Sequence, residues 1–229
     1  MMLQGYGSVI LDGALTTVYL AVLSVSIAVA IGLITAGIKL FGPVWGRAFA
    51  GIYTTFIRGV PDLVLMLLIF YGIQSLLNQL TQLMGLGIYN IDPFAAGVVT
   101  LGFIYGAYFA ETFRGAFMMV PKGQLESGLA FGLSPLQVFR YILFPQMMRH
   151  ALPGIGNNWQ ITLKATALVS IIGLEDLVLA TQAAGKSTYN FFTFSLIAAA
   201  IYLLFTSVSN VLLRYLERRY SHGVRSTSA

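Results

Sequence analysis

Between Ala14 and Ile38 the chain carries no charged residue. A run of that length fits one helix across the hydrocarbon core of a bilayer, where about 20 apolar residues suffice. Further apolar stretches occupy 48–77, 94–113, 157–180 and 191–213. Only 9% of the 229 residues are charged and 57% are hydrophobic, whereas a soluble domain carries about a quarter charged residues. The chain is therefore expected to be an all-α membrane protein with five transmembrane helices in a single domain, 1–229. No stretch outside the spans is long enough for a separate soluble domain. Cysteine is absent, which removes disulfide and thiol chemistry. The first residues lack a basic segment and the apolar run behind them is long enough to span, so no cleavable signal peptide is expected.

The basic residues fix an orientation. Lys39, Arg47, Arg114, Lys122, Arg140, Arg149, Arg214, Arg218, Arg219 and Arg225 all fall in segments on one side of a five-span chain. Lys186 falls on the other side, and Arg58 and Lys164 lie within spans. The positive-inside rule then places the amino terminus outside and the carboxyl terminus in the cytoplasm. Met1 to Gly13 reads as an outer lead-in, 78–93 and 182–190 as external loops, and 121–155 as a cytoplasmic loop. This topology accounts for the net charge of +5, and no nucleic-acid partner is implied.

Within the spans, four features stand out. Pro61 divides 48–77, so Arg58-Gly59-Val60-Pro61-Asp62 reads as a kink or broken turn. It is either part of a pathway wall or a bend closed by an Arg58–Asp62 pair. Gly102 and Gly106 form a GxxxG face suited to close helix packing. Glu111 and Arg114, three apart, can pair as a gate or a structural link. The 157–180 segment holds Asn157, Asn158, Gln160, Thr162, Lys164, Thr166 and Ser170, with Glu175 and Asp176 at its outer end. Such groups in a bilayer face a cavity or one another, so this span either lines a passage or uses its polar groups as glue.

The cytoplasmic loop has its own grammar. Composition favours a short helix from about Gln124 to Phe131. Gly132 is placed to end it in the left-handed conformation. Ser134-Pro135 reads as an N-cap followed by proline in the first turn. A second helix is expected from Pro135 to about Leu143, stopping before Pro145. Two short helices meeting at a glycine make a knob whose exposed apolar residues, such as Leu129 and Phe131, need a partner surface.

These residues resemble the EAA loop of the membrane subunits of bacterial ABC importers. That pattern runs Glu-Ala-Ala, three residues, Gly, nine residues, Ile, one residue, Leu-Pro. Glu126, Gly132, Ile142 and Pro145 fall on it, while Ser127 and Gly128 replace the alanines and Phe144 replaces leucine. Arg58-Gly59-Val60-Pro61, Tyr108 to Gly115, Val120 to Gln124 and Leu163-Lys164-Ala165-Thr166-Ala167-Leu168 resemble signatures of the polar amino acid permeases within that group, with Ala167 where serine is common. The likeness covers nearly the whole chain. It is most marked to the Q-type subunits of histidine and lysine-arginine-ornithine importers, with opine and arginine permeases as close relatives.

The resemblance implies a type I ABC importer permease fold in the bacterial inner membrane. It implies pairing with a homologous M-type permease subunit, or with a second copy, two ATPase subunits on the cytoplasmic loops, and a periplasmic amino-acid-binding protein outside. Glu126, Ser127, Gly128, Ala130, Gly132, Ile142 and Pro145 would form the ATPase-coupling surface. Arg58, Asp62, Lys164, Thr166, Glu175 and Asp176 are the candidate pathway or substrate residues. Asp62, Glu175 and Asp176 are the carboxylates available to a cationic amino acid. No cofactor is expected in this chain; ATP and Mg belong to the partner subunits, since the chain has no Gly-rich loop followed by Lys-Ser/Thr.

Three other classes compete. An intramembrane enzyme needs a nucleophile–base pair or a metal site, yet His150 and His222 both fall in cytoplasmic segments and outside any His-Glu-x-x-His pattern. A gradient-driven secondary transporter is commonly built from repeats, and no clear internal repeat is visible. A structural subunit lining no pathway has no need of the polar fourth span.

Overall fold

The computed structural model describes residues 5–220, which are helical almost throughout. His222 and Arg225 lie outside the described residues. The elements are α1 (Gly7–Phe41), α2 (Val44–Gly59), α3 (Asp62–Leu83), α4 (Pro93–Met118), α5 (Lys122–Ala130), α6 (Pro135–Val138), a π-turn (Phe139–Leu143), α7 (Phe144–Ala165), a 3-10 segment (Thr166–Ile172), α8 (Leu177–Thr188) and α9 (Phe191–Tyr220). Among the described residues, α1, α3, α4 and α9 are long and apolar enough to cross a membrane.

The most extensive helix contact joins α1 to α4. It is built on missing side chains. A Cβ at Gly102 would lie 2.6 Å from Ile27 Cγ2, one at Gly106 would lie 2.7 Å from Ile31 Cγ2, and one at Gly32 would lie 2.6 Å from Phe109 Cβ. The GxxxG face read from the sequence is thus the α4 half of this seam. Hydrocarbon supplies no hydrophobic drive between helices, so close backbone approach and dispersion hold them. The contacts also set direction. Leu20 lies by Gly97, Ile27 by Gly102 and Ile31 by Gly106, so α1 and α4 run parallel. Thr112 touches Asn158 while Gly97 touches Val169, so α7 and the 3-10 segment run the opposite way. Asn158 Nδ2 donates to Thr112 Oγ1 at 3.0 Å. Gln160 bonds Asn210 and Thr166 meets Tyr202, which turns α9 back again.

Several expected boundaries change. The 48–77 stretch is two helices: Val60 and Pro61 are extended, because a residue before proline is excluded from the helical region. The 157–180 stretch is interrupted as well. Thr166 and Ser170 hydroxyls bond the carbonyls of Leu163 and Ala167, both at 2.7 Å, and compete with the α-helical ladder. The helix tightens to 3-10 geometry and stops at Gly173, φ 95°. Asp176 then starts α8, so 182–188, read as an external turn, is helix. The outer lead-in is helical from Gly7.

The loop 121–155 is also nearly all helix. Its second helix does not stop before Pro145. The Phe144 N–H reaches back five residues to the Phe139 carbonyl, opening a π-turn, and α7 continues with Pro145 in its first turn. Widening the helix there leaves room for a ring that would clash with a regular α-turn.

Candidate functional site

Two places gather the chemistry. The first is the loop knob. The α5 helix ends at Gly132, φ +84°, with Leu133 N–H bonded to the Gly128 carbonyl at 3.1 Å and Gly132 N–H to the Leu129 carbonyl at 2.9 Å. Ser134 caps α6 in a complete capping box with Gln137. These local bonds hold the shape without outside help. Glu126, Ser127 and Ala130 are exposed, and so are Leu129, Leu136 and Tyr141; Phe131 is 89% exposed. Gly128 is buried against Val138 and Ile142 Cδ1. A Cβ there would lie 2.5 Å from that methyl, so glycine seats α5 on the π-turn. Beside this contact is an open cleft of about 470 Å³ lined by Gly123, Ser127, Phe131, Tyr141, Ile142 and Gln146. Pro145 is exposed on the continuation into α7.

The second place is the break at Val60-Pro61. The expected Arg58–Asp62 pair does not form among the described residues. Instead each side of the break meets α4. Arg58 lies over the Tyr108 ring, 5.6 Å from its centroid. Asp62 accepts a hydrogen bond from Tyr105 Oη at 2.8 Å. The two tyrosines, on one face of α4, have ring centroids 5.5 Å apart. A guanidinium and a carboxylate are thus presented on a shared aromatic floor beside unwound backbone. Broken helices at membrane depth are tolerated where protein or a water-filled cavity covers them.

Further along the same helix, Glu111 and Arg114 pair, with Oε2 at 2.9 Å from the guanidinium. Lys39 is the addition the sequence did not reveal. Its Nζ lies 2.5 Å from Glu111 Oε1 and also bonds Thr54 Oγ1. The Lys39 ammonium therefore ties α1 to both α2 and α4. An open cleft of about 450 Å³ adjoins it, lined by Lys39, Thr54, Thr55, Arg58, Gly59 and Glu111. Lys39 and Tyr105 had no local sequence signal beyond the end of an apolar run and a tyrosine three residues before Tyr108.

The polar fourth span divides its residues. Asn158, Thr162 and Thr166 are buried and bonded within the bundle. Lys164 is exposed on α7. Glu175 is exposed, whereas Asp176 is fully buried and caps α8, its Oδ1 accepting from Leu179 N–H at 2.9 Å. The two carboxylates expected together at the end of the span thus part, Glu175 at the surface and Asp176 inside the bundle.

An all-helical bundle with parallel glycine-packed helices, a broken helix and a rigid exposed knob defines a class, and comparison identifies it. The chain belongs to the family of binding-protein-dependent transport system inner membrane components, whose model matches residues 28–222. It is 64% identical over 225 residues to the histidine/lysine/arginine/ornithine transport system permease protein HisQ of Escherichia coli K12, covering 98% of each chain. It is 38% identical over 223 residues to the octopine transport system permease protein OccQ of Rhizobium meliloti, covering 97% of this chain and 94% of that one. Among solved structures, an amino acid ABC transporter crystallised with histidines superposes with a TM-score of 0.79 at 34% identity, covering 93% of this chain and 95% of that one. The MetNI methionine ABC transporter shares the fold, with a TM-score of 0.72 at 16% identity over 93% of this chain and 97% of that one. The fold is that of ABC transporter permease subunits.

Proposed function

We propose that the chain is the permease subunit of an ATP-driven importer of basic amino acids, in the class of histidine, arginine, lysine and ornithine. The observation that carries this is the 64% identity, over nearly the full length of both chains, to a permease named for those substrates. It crosses the bacterial inner membrane five times: α1, α2 with α3, α4, α7 with the 3-10 segment, and α9. The alternating helix directions support this count, with the amino terminus outside and the carboxyl terminus in the cytoplasm. A homologous M-type subunit, or a second copy, completes the pathway. Two ATPase subunits, which hold ATP and Mg, dock on the knobs and carry out hydrolysis. A periplasmic binding protein delivers the amino acid.

In this reading Glu126, Ser127, Gly128, Ala130, Gly132, Ile142 and Pro145 shape the ATPase-coupling surface. Closure of the ATPase pair draws the knobs together, and the rigid α5–α7 unit passes the displacement to α4 and α7. The differential affinity that shifts the equilibrium comes from the ATPase, which favours one state when loaded. Arg58, Asp62 and Lys164 face the pathway. Glu175 lies at its outer mouth. Thr166 and Asp176 support the wall from behind, and the Lys39–Glu111–Arg114 cluster braces the inner half. The octopine permease relative at 38% identity makes opines the second substrate class.

Uptake of labelled arginine and histidine by cells co-expressing the chain with its partner subunits tests this. Glu126→Lys and Gly132→Asp are expected to abolish uptake with membrane insertion intact. Unchanged uptake in both variants would remove the coupling role of the knob. Uptake that survives loss of the ATPase but collapses with an ionophore would make the chain a secondary transporter.

A further inference from the structure

Away from the knob and the broken helix, a third cleft of about 560 Å³ opens between α7 and α9. Asn210, Arg214 and Glu217 line it from α9, and Gly156, Asn157 and Gln160 from α7. On α9 these residues recur at four- and three-residue intervals, and on α7 Gln160 follows Gly156 and Asn157 by four and three, so each set lies on one face, as one stripe. The stripes face each other because Gln160 bonds Asn210. Gly156, bare of a side chain, lets Leu213 of α9 close in: a Cβ there would lie 3.1 Å from Leu213 Cδ1. The lining side chains are mainly polar, with Pro153 and Leu213 the apolar ones.

The arrangement of charge is specific. Arg214 and Glu217 stand one turn apart, where Cβ atoms lie about 5–6 Å from each other. They do not form an ion pair with one another. Arg214 instead commits its Nε to the Asn210 carbonyl at 3.3 Å. A cation and an anion thus line one cleft with three carboxamides around them. The complementary ligand carries an oxyanion and an ammonium a few bonds apart.

We propose that this cleft is a zwitterion site, with an oxyanion held at Arg214 and an ammonium at Glu217. The proposal rests on the functional reading above, which puts this end of α9 on the cytoplasmic side. Two sources carry the chemistry there: a free amino acid on the cytoplasmic side, or the headgroup of phosphatidylethanolamine. An amino acid with a long polar side chain would also reach the amides of Asn157 and Gln160. Occupied by free amino acid, the site would report internal accumulation to α7, the helix that continues from the knob.

The test uses the assembled transporter in nanodiscs of phosphatidylglycerol alone, without binding protein or nucleotide, and measures retention of radiolabelled arginine. Arg214→Gln and Glu217→Gln are each expected to weaken retention about tenfold, the effect of losing one charge-assisted hydrogen bond. The component that they remove should persist in Asp62→Asn, which separates it from the pathway. Adding phosphatidylethanolamine assigns the source. Competition with arginine, together with co-purified lipid that is lost in Glu217→Gln, makes it the headgroup; no competition makes it the free amino acid. Arginine retention and bound phosphatidylethanolamine that are both the same in wild type and the two variants would overturn the site. ATP-driven uptake by the same wild-type preparation is read separately: its absence would sink the transport assignment, whereas the cleft is judged from retention.

Discussion

The α1–α4 seam and the α5–α6 knob are both organised by glycine, yet the glycines act in opposite ways. In the seam, Gly32, Gly102 and Gly106 let two backbones approach, and the surface they create is consumed inside the chain. In the knob, Gly132 adopts a left-handed turn, and the surface around it is displayed. Phe109 is fully buried while Phe131 is 89% exposed. The difference separates residues that this chain needs in order to fold from residues that it presents to another molecule. Exposed apolar side chains on a rigid, internally bonded turn are the mark of the second kind.

That distinction can be broken by experiment. The largest effect is expected at the seam. Gly106→Leu forces a side chain where a Cβ alone would sit 2.7 Å from Ile31, and should cost about 3 kcal/mol or more. Loss of monodisperse protein in detergent would show it; a normal melting curve would mean that the parallel seam is not the core. Next comes Glu111→Gln, which leaves Lys39 and Arg114 without their shared carboxylate. A loss of about 2 kcal/mol in thermal melting is expected, with part of it recovered in the Lys39→Met/Glu111→Gln double variant. Phe131→Ala should leave melting within about 0.5 kcal/mol of wild type while reducing co-purification of the ATPase. A large drop in melting would make Phe131 part of the fold. Gly128→Ala should also be mild, below about 1 kcal/mol, because the Ile142 methyl that it meets can turn aside. A collapse there would show that α5 has no slack on the π-turn.

Legibility in the sequence followed locality. Gly132, Ser134-Pro135, the Glu111–Arg114 pair and the Gly102/Gly106 face were all readable, because each depends on residues a few positions apart. The break at Pro61 was readable for the same reason. Features that depend on distant partners were not. Lys39 reaches Glu111 across 72 positions, and hydropathy alone gives no azimuth for a lysine at a helix end. Arg58 and Asp62, close in sequence, looked like partners, yet α4 offers each a better one in Tyr108 and Tyr105. The 157–180 stretch misled because span recognition counts apolar residues and cannot see a hydroxyl stealing a backbone carbonyl. Pro145 misled because its usual effect, ending a helix, was averted by the π-turn.

The parallel course of α1 and α4 has a consequence for biogenesis. Neighbouring helices of opposite direction can zip together as soon as the second emerges. A parallel pair cannot: the chain must cross back through α2 and α3 before α4 exists. During synthesis α1 therefore waits in lipid, or against the insertion machinery, with its glycine and alanine face uncovered. The most extensive helix contact of the finished protein closes only after all of the connecting polypeptide has been threaded. Quality control that recognises unpacked small-residue faces would have its longest view of this chain at that stage.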